Sequence, residues 1–321
     1  MPLTLVTPGS GAVRDLVIAY HVAPLVTGPK IAEAAPEACV LVEMNNGLSS
    51  AYELRNGLVP LPEAVAKAKE MAGEDFEVGL LILVGFSAGC EALRQHLNQG
   101  YLPSVMLALD GTHASSPPNP ETQLQAWQVF CQLAKDEQRV ARITHTQIDT
   151  YGYLPTKVVA PMLAEIDDAP AVASDDPMPH TTQHVGWLWL DAYEGKVGDD
   201  HNNQQRKVLE PSLAEIVEVA RQHRDVLAPH LDGGPLPDVT ITGSSSGGDA
   251  GGGGEDAGGG GATSADAGEI DGGGGEDDSS DPGAPPSFLS RHRWGIGLVV
   301  ALALAGTGYA FRGRIQKAIS G

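Results

Sequence analysis

The sequence is poor in cysteine, and its apolar part lacks a stripe of basic residues. Three cysteines occur in 321 residues, and their apolar or helical surroundings show no paired metal-ligand spacing. We interpret Cys39, Cys90 and Cys131 as small core residues, which suits a reducing compartment. The formal net charge is -21, and no basic stripe runs through the apolar part. These absences argue against a cysteine-based metal module and against nucleic acid as a partner.

The N-terminus lacks the features of a secretory signal peptide. The segment MPLTLVTPGSGAVRD has neither a basic start nor a long apolar run. Together with the unpaired cysteines, this predicts that the folded part of the chain lies in the cytoplasm.

The composition changes sharply near residue 240. Gly243 to Ser287 consists almost entirely of Gly, Ser, Ala, Asp and Glu, without any Lys or Arg. Such a stretch cannot bury a core. We therefore predict three parts: a catalytic domain over residues 1–240, a Gly-rich acidic disordered linker over 241–290, and a C-terminal segment over 291–321.

The C-terminal segment contains a long run without charge. Trp294 to Phe311 has 18 uncharged residues, and as a helix it would span about 27 Å, close to the thickness of a bilayer core. Basic residues flank the run on both sides, so its orientation is not readable from charge. The run predicts a single-pass C-terminal membrane anchor, with the linker as a flexible tether. The alternative interpretation is a buried core helix.

The part before residue 240 alternates between two kinds of pattern. Apolar runs bounded by turn residues predict buried strands at 15–22, 39–44, 78–86, 103–110, 141–148 and 185–192. Helical patterns lie between them, at 30–35, 61–73, 88–99, 121–138, 156–166 and 202–224, the last interrupted at Pro211. This alternation predicts an α/β fold with a three-layer, mostly parallel sheet, whose ligands would bind at the carboxyl ends of the strands.

The segment GFSAG, residues 85–89, stands where a predicted strand turns directly into a predicted helix. Such a turn strains the apex residue and brings two backbones together, which explains glycine at both flanks. The pattern predicts a nucleophile elbow with the Ser87 hydroxyl exposed above the sheet. The alternative is an ordinary β-to-α turn whose serine caps the helix.

From Asp15 to about Arg224, the order of elements and this elbow resemble the α/β-hydrolase superfamily. The segments GFSAGCEAL, LDGTHAS and ITHTQI also resemble bacterial and phage-type esterase-like proteins of unassigned substrate. The resemblance implies a serine hydrolase with its partners in the order serine, acid, histidine. Two strands usual at the start of that fold have no counterpart in the pattern, which predicts a trimmed version.

A serine hydroxyl needs a neutral imidazole to take its proton and an anion to orient that imidazole. In this fold the histidine follows the last strand, and His201 is the first one after the run at 185–192. For the acid we favour Asp110, at the end of the strand after the elbow helix, where Gly111 permits a turn. Asp149, which ends the next predicted strand, is the alternative and the commoner position in the superfamily.

The remaining candidate residues surround these three. The oxyanion hole should use the backbone N–H of Ala88 and one from the loop after the first strand, for which we choose Val22. His113, His145 and Phe86 should line the pocket or support the acid. Together with Asp110 and His201, these two histidines could also suggest a metal cluster, but none of these four shows the H-x-x-x-H or H-x-H spacing of paired ligands, so we expect neither a metal nor a cofactor.

The expected function is a membrane-tethered serine hydrolase that cleaves an ester, or a thioester or amide, through an acyl-Ser87 intermediate. Its partner would be a small or lipid-like ester. Three alternatives remain open at this stage: an inactive hydrolase-fold binding module, a structural protein of an envelope or virion, and an acyltransferase with the same triad.

Overall fold

The computed structural model describes residues 3–44, 49–115, 120–149, 153–166 and 180–239. Within these ranges, eight strands form one sheet in the order β1-β3-β2-β4-β5-β7-β10-β9. Their bounds are β1 Leu3–Thr7, β2 Val13–Tyr20, β3 Cys39–Glu43, β4 Glu77–Phe86, β5 Val105–Leu109, β7 Val140–His145, β9 His180–Val185 and β10 Leu188–Tyr193. Two further short strands, β6 Ala114–Ser115 and β8 Tyr153–Leu154, pair with each other.

The six inner strands of the sheet are parallel, and the two edge strands are antiparallel. Strand β1 pairs antiparallel with β3, and β9 pairs antiparallel with β10. Between them, each neighbouring pair from β3 to β10 is parallel. All six parallel strands therefore end at one edge of the sheet, where binding sites of such folds lie.

The α-helices cover both faces of the sheet. They are α1 Gly28–Ala34, α2 Leu61–Ala72, α3 Cys90–Asn98, α4 Pro120–Lys135, α5 Thr156–Ala164, α6 Gly198–Asn203 and α7 Leu209–Gln222. One face of the sheet packs on α2, α3, α4 and α5, and the other packs on α1 and α7. In β4, Leu81 and Leu83 belong to the first core, whereas Leu80 and Ile82 belong to the second. A strand covered on both faces is mostly apolar on both sides, which is why β4 stands in the sequence as a continuous aliphatic run. The predicted three-layer, mostly parallel architecture is confirmed.

Strand β1 corrects the expectation that both leading strands of the fold are missing. Leu3–Thr7 lies at the edge of the sheet against β3. Its residues are exposed or half-buried, so the segment lacks the buried aliphatic signature that identified the inner strands. The polar edge strand β9, HTTQHV, was missed for the same reason.

The interruption predicted at Pro211 lies earlier in the chain. Between α6 and α7, residues Gln204–Val208 form a π-helix, and Pro211 sits inside the first turn of α7. Proline has no N–H to donate and its ring crowds the carbonyl four residues before it, at Lys207. The wider turn at 204–208 places the irregular hydrogen bonding ahead of the proline rather than at it.

Among the described residues, no helix is both long enough and apolar enough to cross a bilayer. The predicted linker at 241–290 and the predicted anchor at 294–311 lie outside the described residues.

Candidate active site

Strand β4 passes directly into a 3₁₀ turn, Ser87–Gly89, and then into α3. Ser87 has φ +51°, a left-handed conformation that is uncommon for a residue other than glycine. A Cβ at Gly85 would lie 3.0 Å from the backbone of Cys90, and one at Gly89 would lie 2.3 Å from the carbonyl oxygen of Tyr20. A side chain at position 89 would therefore collide with backbone, and one at position 85 would force the start of α3 to shift.

Asp110 and His201 are hydrogen-bonded at the same edge of the sheet. The Nδ1 atom of His201 lies 2.7 Å from Oδ2 of Asp110. Asp110 follows β5 immediately, with φ +44°, and is 5% exposed. His201 is half-buried and lies within α6, because the helix begins at Gly198, before the predicted start at 202. Helix α6 begins early because Asp200 accepts a hydrogen bond from the N–H of Val197.

The carboxylate of Asp110 accepts hydrogen bonds from two threonines as well. Thr146 donates its N–H at 2.9 Å and its hydroxyl at 2.7 Å, and Thr156 donates its hydroxyl at 2.7 Å. Burial raises the pKa of Asp110, but the hydrogen bonds from His201, Thr156 and Thr146 outweigh it and hold the pKa below its ordinary value. Asp110 is thus held as an anion whose contact with His201 is oriented.

This pair lies against the turn at Ser87. The rings of His201 and Phe86 are 4.7 Å apart between centroids. A Cβ at Gly111 would lie 2.1 Å from the carbonyl oxygen of Ser87, so the loop after Asp110 packs directly on the turn. Within the described residues, Ser87 and His201 do not form a hydrogen bond. Contacts of this kind are commonly long before substrate binds.

The alternative acid, Asp149, is placed differently. Strand β7 ends at His145, before the predicted end at 148, and the chain then leaves the sheet as the N–H of Gln147 donates to the carbonyl of Gly195. The Asp149 side chain is 85% exposed and pairs with Lys157 at 2.5 Å. The structure thus brings Asp110, and not Asp149, to His201.

The loop after β2 lies beside the turn, as the predicted oxyanion hole requires. His21 has φ +61°, and its N–H donates to the carbonyl of Glu43. A Cβ at Gly89 would lie 2.3 Å from the Tyr20 carbonyl oxygen and 2.9 Å from the His21 Cβ, so the start of this loop packs directly on the turn; the buried Val22 follows His21. The N–H of Ala88 lies in the first turn of a helical segment, where amides lack acceptors within the helix.

The three supporting residues surround the same edge. Phe86 is buried between the rings of His21 and His201, with centroids 6.1 Å and 4.7 Å away. His113 contacts Ser49 through Nε2 at 2.8 Å. His145 is buried at the end of β7, directly before the Thr146 that binds Asp110.

Four polar residues of this region were missed by the sequence analysis: Thr144, Thr146, Thr156 and Gln204. Thr144 and Thr146 stand in ITHTQ at a strand end, and such a cluster of hydroxyls after an apolar run is a usable signal. Thr156 is the first residue of a helix after Pro155, and a single threonine at that position is no signal of a site. Gln204 carries no signal in the sequence, because its burial follows from the π-helix.

A second buried polar cluster lies behind the loop at His21. Glu43 ends β3, is fully buried, and neither of its carboxyl oxygens has a hydrogen-bond partner among the described residues. Burial raises the pKa of Glu43 to about 7. Its register partner on β2, Tyr20, has its hydroxyl 2.8 Å from Nε2 of His96, and burial lowers the pKa of His96 to about 3.

A cavity of about 220 Å³ lies at the opposite end of the parallel strands. It is lined by Ser10, Val13, Arg14, Asp15, Glu37, Arg221 and Arg224. Asp15 pairs there with Arg221 and Arg224, each at 2.9 Å. Because β2 begins at this end and Ser87 follows the other end of β4, this cavity is separate from the Ser87 site. Among the described residues, no group of three or more His, Cys, Asp or Glu side chains could hold a metal ion.

The sheet order and the strained serine turn define an α/β-hydrolase type of fold. No family model and no curated protein matches the sequence. The structure of a hydrolase from Oleispira antarctica is similar at 10% sequence identity and a TM-score of 0.37; the match covers 67% of this chain and 94% of that chain. The type II thioesterase YbtT of the yersiniabactin pathway shares 10% identity over 70% and 99%, with a TM-score of 0.32. The bottromycin epimerase BotH shares 13% over 71% and 100%, with a TM-score of 0.31. These similarities carry nothing about the reaction of this chain.

Proposed function

We propose that the protein is a serine hydrolase that cleaves a carboxylic ester or thioester through an acyl-Ser87 intermediate. The observation that carries this proposal is the Asp110–His201 hydrogen bond of 2.7 Å beside a serine held at φ +51°. The buried carboxylate of Asp110 binds Nδ1 of His201 and so fixes the orientation of the ring. The other ring nitrogen, Nε2, is then left to take a proton.

In the first half of the reaction, Ser87 Oγ attacks the carbonyl carbon of the substrate while His201 Nε2 takes the hydroxyl proton. The negative charge that develops on the carbonyl oxygen is stabilised by the N–H groups of Ala88 and Val22. The bond to the alcohol or thiol then breaks, and the leaving group receives the proton from His201.

In the second half, a water molecule attacks the acyl-Ser87 ester, with His201 again taking a proton. The new tetrahedral intermediate releases the carboxylic acid, and Ser87 Oγ recovers its proton from His201. Asp110 stays ionised throughout and stabilises the imidazolium, which its lowered pKa favours.

The direct test is covalent labelling with a fluorophosphonate probe, followed by mapping of the modified residue. Wild type should be labelled at Ser87, whereas Ser87→Ala and His201→Ala should not react. Ser49→Ala is the matched control, because the Ser49 hydroxyl lies 2.8 Å from Nε2 of His113 and is thus a second serine that a histidine could activate. Labelling of Ser49, or of no serine, would remove the proposed mechanism.

The substrate class can be approached with p-nitrophenyl esters of increasing chain length and one thioester. Wild type should hydrolyse at least one of them, and Ser87→Ala should be inactive towards all. Labelling of Ser87 without turnover of any ester or thioester would point instead to an acyl acceptor other than water.

We also propose that the run Trp294–Phe311 anchors the enzyme to a membrane. The proposal rests on the uncharged sequence and its basic flanks. The full chain should sediment with membranes and be extracted by detergent, and a chain ending at residue 240 should be soluble with unchanged activity. A full chain that stays in the supernatant would refute the anchor without affecting the hydrolase.

A further inference from the structure

The most informative feature outside the residues already given a role is the hydrogen-bonded connection between α6 and the sheet. His201 lies in α6, and the π-helix that begins at Gln204 follows it directly. The Gln204 side chain is fully buried, and its Oε1 accepts a hydrogen bond of 2.7 Å from the Thr144 hydroxyl. Thr144 is itself fully buried in β7.

Thr144 also contacts the backbone of Asp110. The N–H of Asp110 donates to the carbonyl of Thr144 at 3.0 Å, with the Thr144 hydroxyl oxygen 3.3 Å away. The contacts therefore form a closed circuit: from the amide of Asp110 to Thr144, from Thr144 to Gln204, along the helix to His201, and from His201 back to the carboxylate of Asp110. Each contact joins two different segments of the chain.

The amide nitrogen of Gln204 destabilises the fold. This Nε2 atom is buried and has no hydrogen-bond partner among the described residues. A buried donor without a partner destabilises a protein, so an apolar side chain of this size would serve simple packing better. What Gln204 supplies that an apolar side chain cannot supply is the acceptor for Thr144.

We propose that Gln204 is a positioning residue, which acts through Thr144 to hold His201 in register with Asp110. This inference rests on the proposed function, because it assigns Gln204 a part in the same site. The π-helix accounts for the burial of Gln204: its wider turn directs this side chain towards the sheet, three residues after His201. The next residue, Gln205, is only half-buried.

The test compares Gln204→Met with Gln205→Met, which places the same substitution at the next position of the same turn. Gln204→Met should lower kcat about tenfold or more, equivalent to about 1.4 kcal/mol in the barrier, with KM within about twofold. Gln205→Met should leave both constants within about twofold. A Gln204→Met enzyme with normal kcat would overturn the proposal.

Thr144 provides an independent check that does not depend on the folding of the Gln204 variant. Thr144→Val should lower kcat, whereas Thr144→Ser keeps the hydroxyl and should retain most of the activity. The double variant Thr144→Val/Gln204→Met should be no slower than the slower single variant, because both substitutions break one contact. Additive losses in the double variant would contradict the circuit.

A readout without turnover separates this proposal from the hydrolase itself. In ¹⁵N-histidine-labelled protein, the Nδ1 proton of His201 bound to Asp110 should give a low-field resonance in wild type and in Gln205→Met. The resonance should be broadened or lost in Gln204→Met. This result would support the role of Gln204 even if wild type hydrolysed no ester, and an unchanged resonance in Gln204→Met would refute it.

Discussion

Asp110 and Glu43 are two buried carboxyl groups at the carboxyl ends of parallel strands of one sheet, yet their surroundings differ. Asp110 accepts hydrogen bonds from His201, Thr146 and Thr156, and its pKa is lowered. Glu43 has no hydrogen-bond partner among the described residues, and burial raises its pKa to about 7. Burial is similar in the two cases, so hydrogen-bond donors decide which carboxyl is a fixed anion and which one titrates near neutral pH.

Of the changes to these two carboxyl groups, removing the charge of Asp110 should have the largest effect. Asp110→Asn should lower kcat by about 10³- to 10⁴-fold, because the amide can no longer stabilise the imidazolium and favours the wrong tautomer. Steady-state kinetics with the best ester measures this effect. The exposed Asp149→Asn is the control and should be within about twofold of wild type. The reverse pattern would make Asp149 the acid.

The second comparison removes the charge of Glu43. Its raised pKa means that the carboxyl contributes most to stability below its ordinary value of 4.5, and that this contribution is lost as the pH rises towards about 7. Glu43→Gln abolishes the loss, so above pH 7 the variant should be more stable than wild type, by on the order of 3 kcal/mol. At pH 4 the two proteins should be similar.

Urea unfolding of wild type and Glu43→Gln between pH 4 and pH 8 provides the measurement. Glu77→Gln, at an exposed position of β4, is the matched control and should leave the curve of wild type unchanged. If the difference in the free energy of unfolding between wild type and Glu43→Gln does not grow with pH, ionisation of the buried Glu43 carboxyl does not destabilise the protein and the prediction is wrong.

The smallest expected effect comes from removing one donor to Asp110. Thr156→Val should reduce the free energy of unfolding by about 1 kcal/mol at pH 7, since a hydrogen bond to an ionised carboxylate is lost. Asp110 has a lowered pKa, so its contribution to stability is present above the ordinary pKa of 3.8 and disappears as the pH falls through the folded value. The difference from wild type should shrink over that range. Thr156→Ser keeps the hydroxyl and should match wild type, and a pH-independent loss would indicate a packing defect only.

The inner part of the fold was predictable because burial on both faces leaves a visible mark on a strand. Strands β2 to β5 carry aliphatic runs, such as LLILV at 80–84, whereas β7 and β10 also contain the buried ion pair Arg142–Asp191. The edge strands β1 and β9 are half-exposed and polar in part, so their periodicity is weak. Pro211 was visible, but its consequence, a π-helix at 204–208, depends on how α6 packs and cannot be read locally.

The residues of the candidate site were not equally predictable from the sequence. Ser87 is identified by local geometry, because only a tight turn explains both glycines. The contact between Asp110 and His201 joins residues 91 positions apart, and the sequence could only rank Asp110 against Asp149. The choice depended on where β7 ends, which the run ARITHTQI does not reveal. The hydroxyl donors to Asp110 come from two other segments and follow from the fold alone.

Helix α7 runs between the two ends of the parallel strands. It begins directly after the π-helix that follows α6. At its other end, Arg221 in the last turn and Arg224 just beyond it form ion pairs with Asp15 at the start of β2. The end of the sheet near Asp15 also carries Val13, whose side chain is 48% exposed. A dye or a solid support attached there would leave the Ser87 edge turned towards the solution, which makes this end the natural point for immobilising the protein.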